Sequence, residues 1–225
     1  LCRFSILALT GLSLALPSFI VSRDQGFEKN QVAVQDFIKN WDQISPVEIP
    51  VSSVDGTWGN KEAQVKVVVF SDFQCPFCRK TAFQLHTLLP SYKDRIYLVF
   101  KHFPLNPNCN PAVEHNMHPY ACSLAQLAVC AAKKNLFWEF HDAVFLKMND
   151  EDFVSGWDKL RNETSGVFRD REIENCLASE EAKNQVASDV ETGLEVSIEG
   201  TPAIFINGRP VSFFLDAQSL GEIIN

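Results

Sequence analysis

The sequence predicts an α/β domain: a strand–helix–strand unit, a helical insertion, then a hairpin and a closing helix, with both halves sharing one sheet. Three observations carry this. A β-branched run, Val65 to Phe70, leads into Cys75-Pro76-Phe77-Cys78 and a helix-patterned stretch. A long span, about 104–192, is patterned mostly as helix. Asn207-Gly208, a strong two-residue hairpin signal, separates two short strand-like runs.

Composition bounds what such a domain can be. The chain has 225 residues, 46% apolar and 21% charged, which allows a real core and excludes disorder, coiled coil and a multi-span membrane protein. Twenty Lys and Arg against 28 Asp and Glu give a net charge of −8, with no run of five basic residues. Nucleic acid and anionic membrane surfaces both need clustered positive charge, so nucleic acid is not an expected partner. Seven cysteines exceed what a cytosolic enzyme carries without a metal or redox reason.

Taken in chain order, Phe4 to Val21 are 18 successive uncharged, mostly apolar residues, flanked by Arg3 and by Arg23 and Asp24. As a helix they would span roughly 27 Å, close to a bilayer core. The stretch has no polar face, unlike a helix packed on the core of a domain this size, and a cleaved signal would not place Ser13-Leu14-Ala15 in mid-run. Residues 1–22 are therefore expected to be a retained membrane helix, with a signal segment, or the end of a larger membrane domain, as alternatives. Within residues 23–60, Val34, Phe37, Ile38, Trp41 and Ile44 predict an amphipathic helix over about 30–44, stopped by Pro46. The turn formers of 50–60 predict a linker, and the main domain is expected over 61–225.

That domain opens with a buried strand, Val65 to Phe70, ending at Ser71-Asp72. A helix through Ala82, Phe83, Leu85, Leu88 and Leu89 stops at Pro90, and Arg95 to Phe100 is the second strand. Helices are expected within 119–134, 137–147, 169–177 and 180–195. Ala203 to Asn207 and Pro210 to Phe213 form the hairpin, and Ala217 to Ile224 the last helix.

Two cysteines three apart at a helix start have a physical use. Free backbone N–H groups and the helix dipole stabilise a thiolate on the first, and the second lies one turn on, within disulfide reach. Pro76 suits the first turn, where its missing N–H costs nothing. Cys75 is expected to be the exposed sulfur of low pKa and Cys78 the buried sulfur that resolves a mixed disulfide. A zinc half-site or an inert bridge is disfavoured, because no second close cysteine pair exists.

The run Phe70-Ser71-Asp72-Phe73-Gln74-Cys75-Pro76-Phe77-Cys78, paired with Gly200-Thr201-Pro202-Ala203, resembles the DsbA-like branch of the thioredoxin superfamily. The resemblance covers Val65 to Asn225, with 202 − 75 = 127 residues between the motifs. It implies a thioredoxin fold with a helical insertion and thiol–disulfide oxidoreductase activity. It also implies a cis Pro202 beside Cys75, with Thr201 offering its backbone to an extended substrate and Pro76 and Phe77 adding to the substrate surface. One position departs: many thioredoxin-fold enzymes carry a buried acid on the first strand where this chain has Val69. Asp72 is the nearest acid, and it either assists proton transfer at Cys78 or, the favoured reading, simply ends the strand.

Cys109-Asn110-Pro111, His118-Pro119-Tyr120-Ala121-Cys122 and Cys130 are similar to thioredoxin-like domains fused to, or working with, membrane proteins of the vitamin K epoxide reductase type. In such a fusion Phe4 to Val21 would be the last membrane helix of the preceding domain. Cys109, His115, His118 and Cys122 also have spacings permissive for zinc, but disulfides suit an extracytoplasmic setting better and no metal is expected. His102 and His141 stand beside aromatic residues and read as packing. Cys122 and Cys130, eight apart on one helix, would hold their Cα atoms roughly 12 Å apart, too far to pair. Cys2 lies in the apolar N-terminus, so the expected structural bridges are Cys109–Cys122 and Cys130–Cys176, with the exchanged pairing as alternative.

The expected protein is an extracytoplasmic oxidoreductase without a cofactor, forming disulfides in exported cysteine-containing proteins. Reoxidation would come from a quinone-linked membrane partner of DsbB or vitamin K epoxide reductase type. It would sit on the periplasmic side, anchored in the inner membrane, or free there if the N-terminus is cleaved. A reductase or isomerase, or a non-catalytic binding module of the same fold, is the alternative.

Overall fold

The computed structural model describes residues 39–147, 171–211 and 221. In chain order these form β1 (Gly56–Gly59), β2 (Val65–Ser71), α1 (Pro76–Leu88), β3 (Ile96–His102), α2 (Ala121–Lys133), α3 (Phe137–Asp142), α4 (Arg171–Leu177), α5 (Glu180–Glu195), β4 (Ala203–Ile206) and β5 (Arg209–Val211). The sheet order is β1-β3-β2-β4-β5. β2 and β3 run parallel, from Val65 opposite Ile96 to Ser71 opposite His102, and every other pairing is antiparallel.

The uninterrupted apolar run in β2 follows from its central place, since both of its faces are covered. Val67 and Val69 pack with Leu98, Ile204 and Ile206 against Leu85 and Leu89 at the end of α1. Val68 and Phe70 pack with Val99, Phe103 and Phe205 against Val190 of α5. A third apolar cluster fills the insertion, where α2 supplies Leu124, Leu127 and Val129, and Ile173 and Val186 come from α4 and α5. Phe73, one residue pair before Cys75, belongs to that cluster, stacked between Phe100 at 5.3 Å and Phe145 at 5.0 Å. The insertion thus packs directly against the segment that carries the cysteine pair.

The hairpin between β4 and β5 turns through Asn207 (φ 47°) and Gly208 (φ 77°), the left-handed pair that a two-residue turn requires. A Cβ on Gly208 would lie 2.2 Å from the Val47 carbonyl oxygen, because the Gly208 carbonyl accepts the Val47 N–H at 2.8 Å. The residues before the sheet are held against its far edge in this way.

Two expectations are corrected. The turn-rich segment 50–60 contains β1, which lies along β3 with Gly56 opposite Phe100 and Gly59 opposite Tyr97. A four-residue edge strand bounded by glycines shows no alternation, yet Gly56 is needed: a Cβ there would meet the Phe137 ring at 2.2 Å. Likewise residues 104–120, expected within a mostly helical insertion, form an irregular loop, broken by Pro104, Pro107, Pro111 and Pro119. Two fully buried asparagines replace the helical ladder. Asn106 donates from Nδ2 to the His118 carbonyl at 2.8 Å, and Asn110 donates to the Pro104 carbonyl at 2.9 Å.

A buried ion triad ties the strands to the last helix. Lys101 of β3 lies 2.7 Å from Asp55, before β1, and 3.0 Å from Asp189 of α5. Asp189 also accepts the His102 backbone N–H at 3.0 Å. Among the described residues no helix is long and apolar enough to cross a membrane. The apolar segment 1–22 and nearly all of the expected closing helix 217–224 lie outside the described residues. Of the expected helix over 30–44, the described part is α-helical at Lys39 and Asn40 and continues as a short 3₁₀ turn, Trp41–Gln43.

Candidate active site

β2 ends at Ser71, and the chain turns through residues 72–75 into α1, whose N-cap is Cys75 with Pro76 as the first helical residue. The Cys75 N–H bonds the Asp72 carbonyl at 3.1 Å, and the Cys75 carbonyl accepts the Arg79 N–H at 3.0 Å, so the sulfur is carried at the start of the helix. The first turn of α1 holds no acidic residue. Cys75 and Cys78 are both free thiols.

β4 runs antiparallel to β2 with Ala203 opposite Phe70, which brings the two preceding residues to the cysteine turn. The Thr201-Pro202 bond is cis. The Cys75 thiol lies 3.4 Å from the Thr201 carbonyl oxygen. Pro76 and Phe77 are exposed on the same turn, Phe77 at 58%. Cys75, expected to be exposed, is only 3% accessible, against 2% for Cys78. Exposure therefore does not distinguish the two sulfurs.

Hydrogen bonding does. Cys78 donates to Cys75, and although burial opposes it, the backbone N–H groups of Cys78 and Phe77 and a contribution from Thr201 also favour the thiolate. The Cys75 thiol is lowered to about 6. Burial pushes the Cys78 thiol well up, and the Cys75 sulfur beside it pushes it further. Behind Cys78 lies a cavity of about 200 Å³ walled by Val69, Thr81, Leu85, Trp138 and His141. Val69 presents no carboxylate to it.

Asp72 does more than end a strand, which corrects the favoured reading. Its side chain is buried and fully committed: it accepts the Gln74 N–H at 2.6 Å, the Leu105 N–H at 2.6 Å and the His118 ring at 2.8 Å from Nδ1. Its own N–H reaches the Cys78 sulfur at 3.4 Å. The sequence hinted at this only through an acid three residues before the first cysteine. His118, 46 residues on, carried no signal toward Asp72 because the pairing needs the whole loop 104–120 to fold back.

Cys109 and Cys122 are joined with Cα atoms 5.9 Å apart, closing that loop onto α2, and Cys130 of α2 is joined to Cys176 of α4 at 5.8 Å. His115 is exposed, His118 is on Asp72, and no group of three or more His, Cys, Asp or Glu side chains is placed to hold a metal among the described residues. His102 and His141 sit in the aromatic cluster around Phe73, Phe100 and Phe137. Burial lowers both, His102 to about 3.

A thioredoxin family model matches residues 52–225, from just before β1 to the last residue of the chain. The chain belongs to the thioredoxin family. The probable disulfide bond formation protein D of Bacillus cereus is 26% identical over 70% of this chain and 72% of its own length. The crystal structure of oxidised BdbD from Bacillus subtilis superposes with a TM-score of 0.63 at 20% identity, covering 80% of this chain and 96% of that one. The Na(+)/H(+) antiporter NhaA 3 of Salinispora tropica is 35% identical over 69% of this chain. The chain spans about a fifth of the length of such antiporter relatives, 22% in that case. The family match and the superposition on BdbD agree on a thioredoxin fold for this chain.

Proposed function

We propose that this chain introduces disulfides into exported proteins through Cys75 and Cys78. A substrate thiolate attacks Cys75 in the Cys75–Cys78 disulfide, the S–S bond breaks, and Cys78 leaves and takes a proton. A second substrate thiolate then attacks the substrate sulfur of the mixed disulfide, releasing the oxidised product and the Cys75 thiolate. Thr201 and Pro202 form the wall against which an extended substrate docks, with Pro76 and Phe77 on the rim. Two electrons pass from substrate to enzyme, and a quinone-linked membrane thiol oxidase, of DsbB or vitamin K epoxide reductase type, removes them.

The observation that carries this reading is the split acidity of the pair, Cys75 lowered to about 6 and Cys78 raised. A stabilised thiolate favours the reduced enzyme, which makes the disulfide the stronger oxidant. The protein D relatives support the same direction by name. Two structural disulfides support an extracytoplasmic, periplasm-facing compartment. Relatives named as Na(+)/H(+) antiporters support a setting at a membrane, with residues 1–22 as anchor.

The test is the reduction potential of the Cys75–Cys78 pair, measured with oxidation of a dithiol peptide and reduction of insulin. A potential above about −180 mV with rapid peptide oxidation is expected, whereas one near −270 mV with insulin reduction would assign a reductase. Neither activity would leave a binding module.

A further inference from the structure

We propose that His118, held by the Asp72 carboxylate, is the cationic partner of the Cys75 thiolate and stores one of the two protons of the reduced site. This rests on the reading of Cys75 and Cys78 as a redox pair and adds a residue from outside the motif to it.

The geometry converges on Asp72. Its side chain is fully buried and binds the His118 ring at 2.8 Å, while its main chain binds both cysteines, accepting the Cys75 N–H at 3.1 Å and donating to the Cys78 sulfur at 3.4 Å. One residue therefore connects the imidazole to the Cys75 backbone and to the Cys78 sulfur. The residues between the cysteines, Pro76 and Phe77, offer no cation to a thiolate on Cys75. Arg79 directs Nε to the Phe145 carbonyl at 2.9 Å. The offsetting charge comes from the insertion loop. That loop is clamped in place by the Asn106 bond to the His118 carbonyl, by the Tyr120 N–H on Gln74 at 2.5 Å and by the Cys109–Cys122 bridge.

The bond to a buried carboxylate fixes Nδ1 of His118 as a donor, so Nε2 is the nitrogen that gains or loses a proton. The titratable groups acting on the ring are Asp72 and Cys75; Glu114 and His115 on its own loop are exposed. Burial pulls His118 down, but the Asp72 hydrogen bond and charge, then the Cys75 charge, outweigh it and leave the ring raised.

The proton count then closes. Two substrate thiols lose two electrons and two protons on forming one disulfide. The electrons reduce the Cys75–Cys78 bond, one proton goes to Cys78, and the other goes to Nε2 of His118 while Cys75 stays a thiolate. Reoxidation removes the thiolate charge and releases the proton from His118.

Two measurements test this. In the wild-type protein, the His118 ring is titrated by NMR in the oxidised and the reduced state. It should titrate at higher pH when reduced, and in Cys75→Ser it should return to the oxidised value. In His118→Gln, which keeps a donor for Asp72 and removes the charge, the pH profile of Cys75 alkylation should move up by about 1–2 units, slowing alkylation at pH 6 about 5- to 50-fold. The same His118 titration in both redox states overturns the proposal, as does an unmoved alkylation profile in a folded His118→Gln. If that variant does not fold, the wild-type titration decides alone. Both readouts report on the thiols themselves, so absence of oxidase activity would overturn the proposed function without touching this result.

Discussion

Replacing Lys101 by Met separates two opposed effects in the buried triad. Its ammonium lies 2.7 Å from Asp55 and 3.0 Å from Asp189, and all three side chains are at most 3% exposed. At an effective dielectric of 20 these attractions amount to about 6 and about 5.5 kcal/mol. Desolvation of three ions offsets most of that, so the intact triad adds little net stability. Removing the cation is different, because two carboxylates are left in a dry site. Burial already holds Asp55 and Asp189 above the usual carboxylate range, with mutual repulsion adding to it at Asp55. The escape open to the variant is to protonate one of them, which at pH 7 costs about 1.4 × (7 − 3.9), or about 4 kcal/mol. Lys101→Met should therefore lose about 3–5 kcal/mol at pH 7. A carboxyl raised in the folded state binds its proton more tightly there than in the unfolded chain, so stability grows as pH falls. The deficit should shrink by about 1.4 kcal/mol per pH unit between pH 7 and pH 5. Urea unfolding of both proteins at the two pH values measures it. A variant within 1 kcal/mol of wild type at pH 7, or a deficit that does not change with pH, would refute the reasoning.

Pro202→Ala should slow the release of mixed disulfides while leaving the fold formed, and trapping of covalent substrate complexes on gels would report it; unchanged release would remove Pro202 from the substrate wall. Gly208→Val should destabilise by more than about 1 kcal/mol, since the turn needs a positive φ and the Val47 carbonyl leaves no room for a Cβ. Thermal unfolding is the measurement, and no change in melting temperature would contradict the observed turn. Cys130→Ser with Cys176→Ser should cost about 2–4 kcal/mol, because that bridge closes 46 residues, and Cys75 alkylation should stay as in wild type. A collapse of Cys75 reactivity in that variant would show that the α2–α4 bridge shapes the site.

What could be read along the chain was local. The cysteine turn, the helix after it, α5 and the Asn207-Gly208 hairpin each announce themselves within a few residues, through β-branching, period or turn chemistry. β1 did not, since Gly-Thr-Trp-Gly is a strand only because β3 offers it an edge. Loop 104–120 was taken into the helical insertion because its prolines and asparagines act through distant partners rather than through periodicity. The site divides in the same way. Cys75, Cys78 and Pro202 belong to recognisable motifs, whereas the link between Asp72 and His118 exists only after the insertion loop docks. The burial of Cys75 came as a correction because helix position governs acidity, while part of the cover over the sulfur, the Thr201 carbonyl, comes from the far end of the chain.

That distant cover has a consequence for biosynthesis. Pro202 follows Cys75 by 127 residues, so in export coupled to synthesis at 5–20 residues per second roughly 6–25 s separate their arrival in the oxidising compartment. Throughout that interval the sulfur has no Thr201 carbonyl beside it and is free to meet Cys109, Cys122 or Cys130 as each appears. The order in which thiols emerge, and not only their final distances, governs which bridges form first, and a nascent chain stalled before residue 201 would be the species most prone to scramble them.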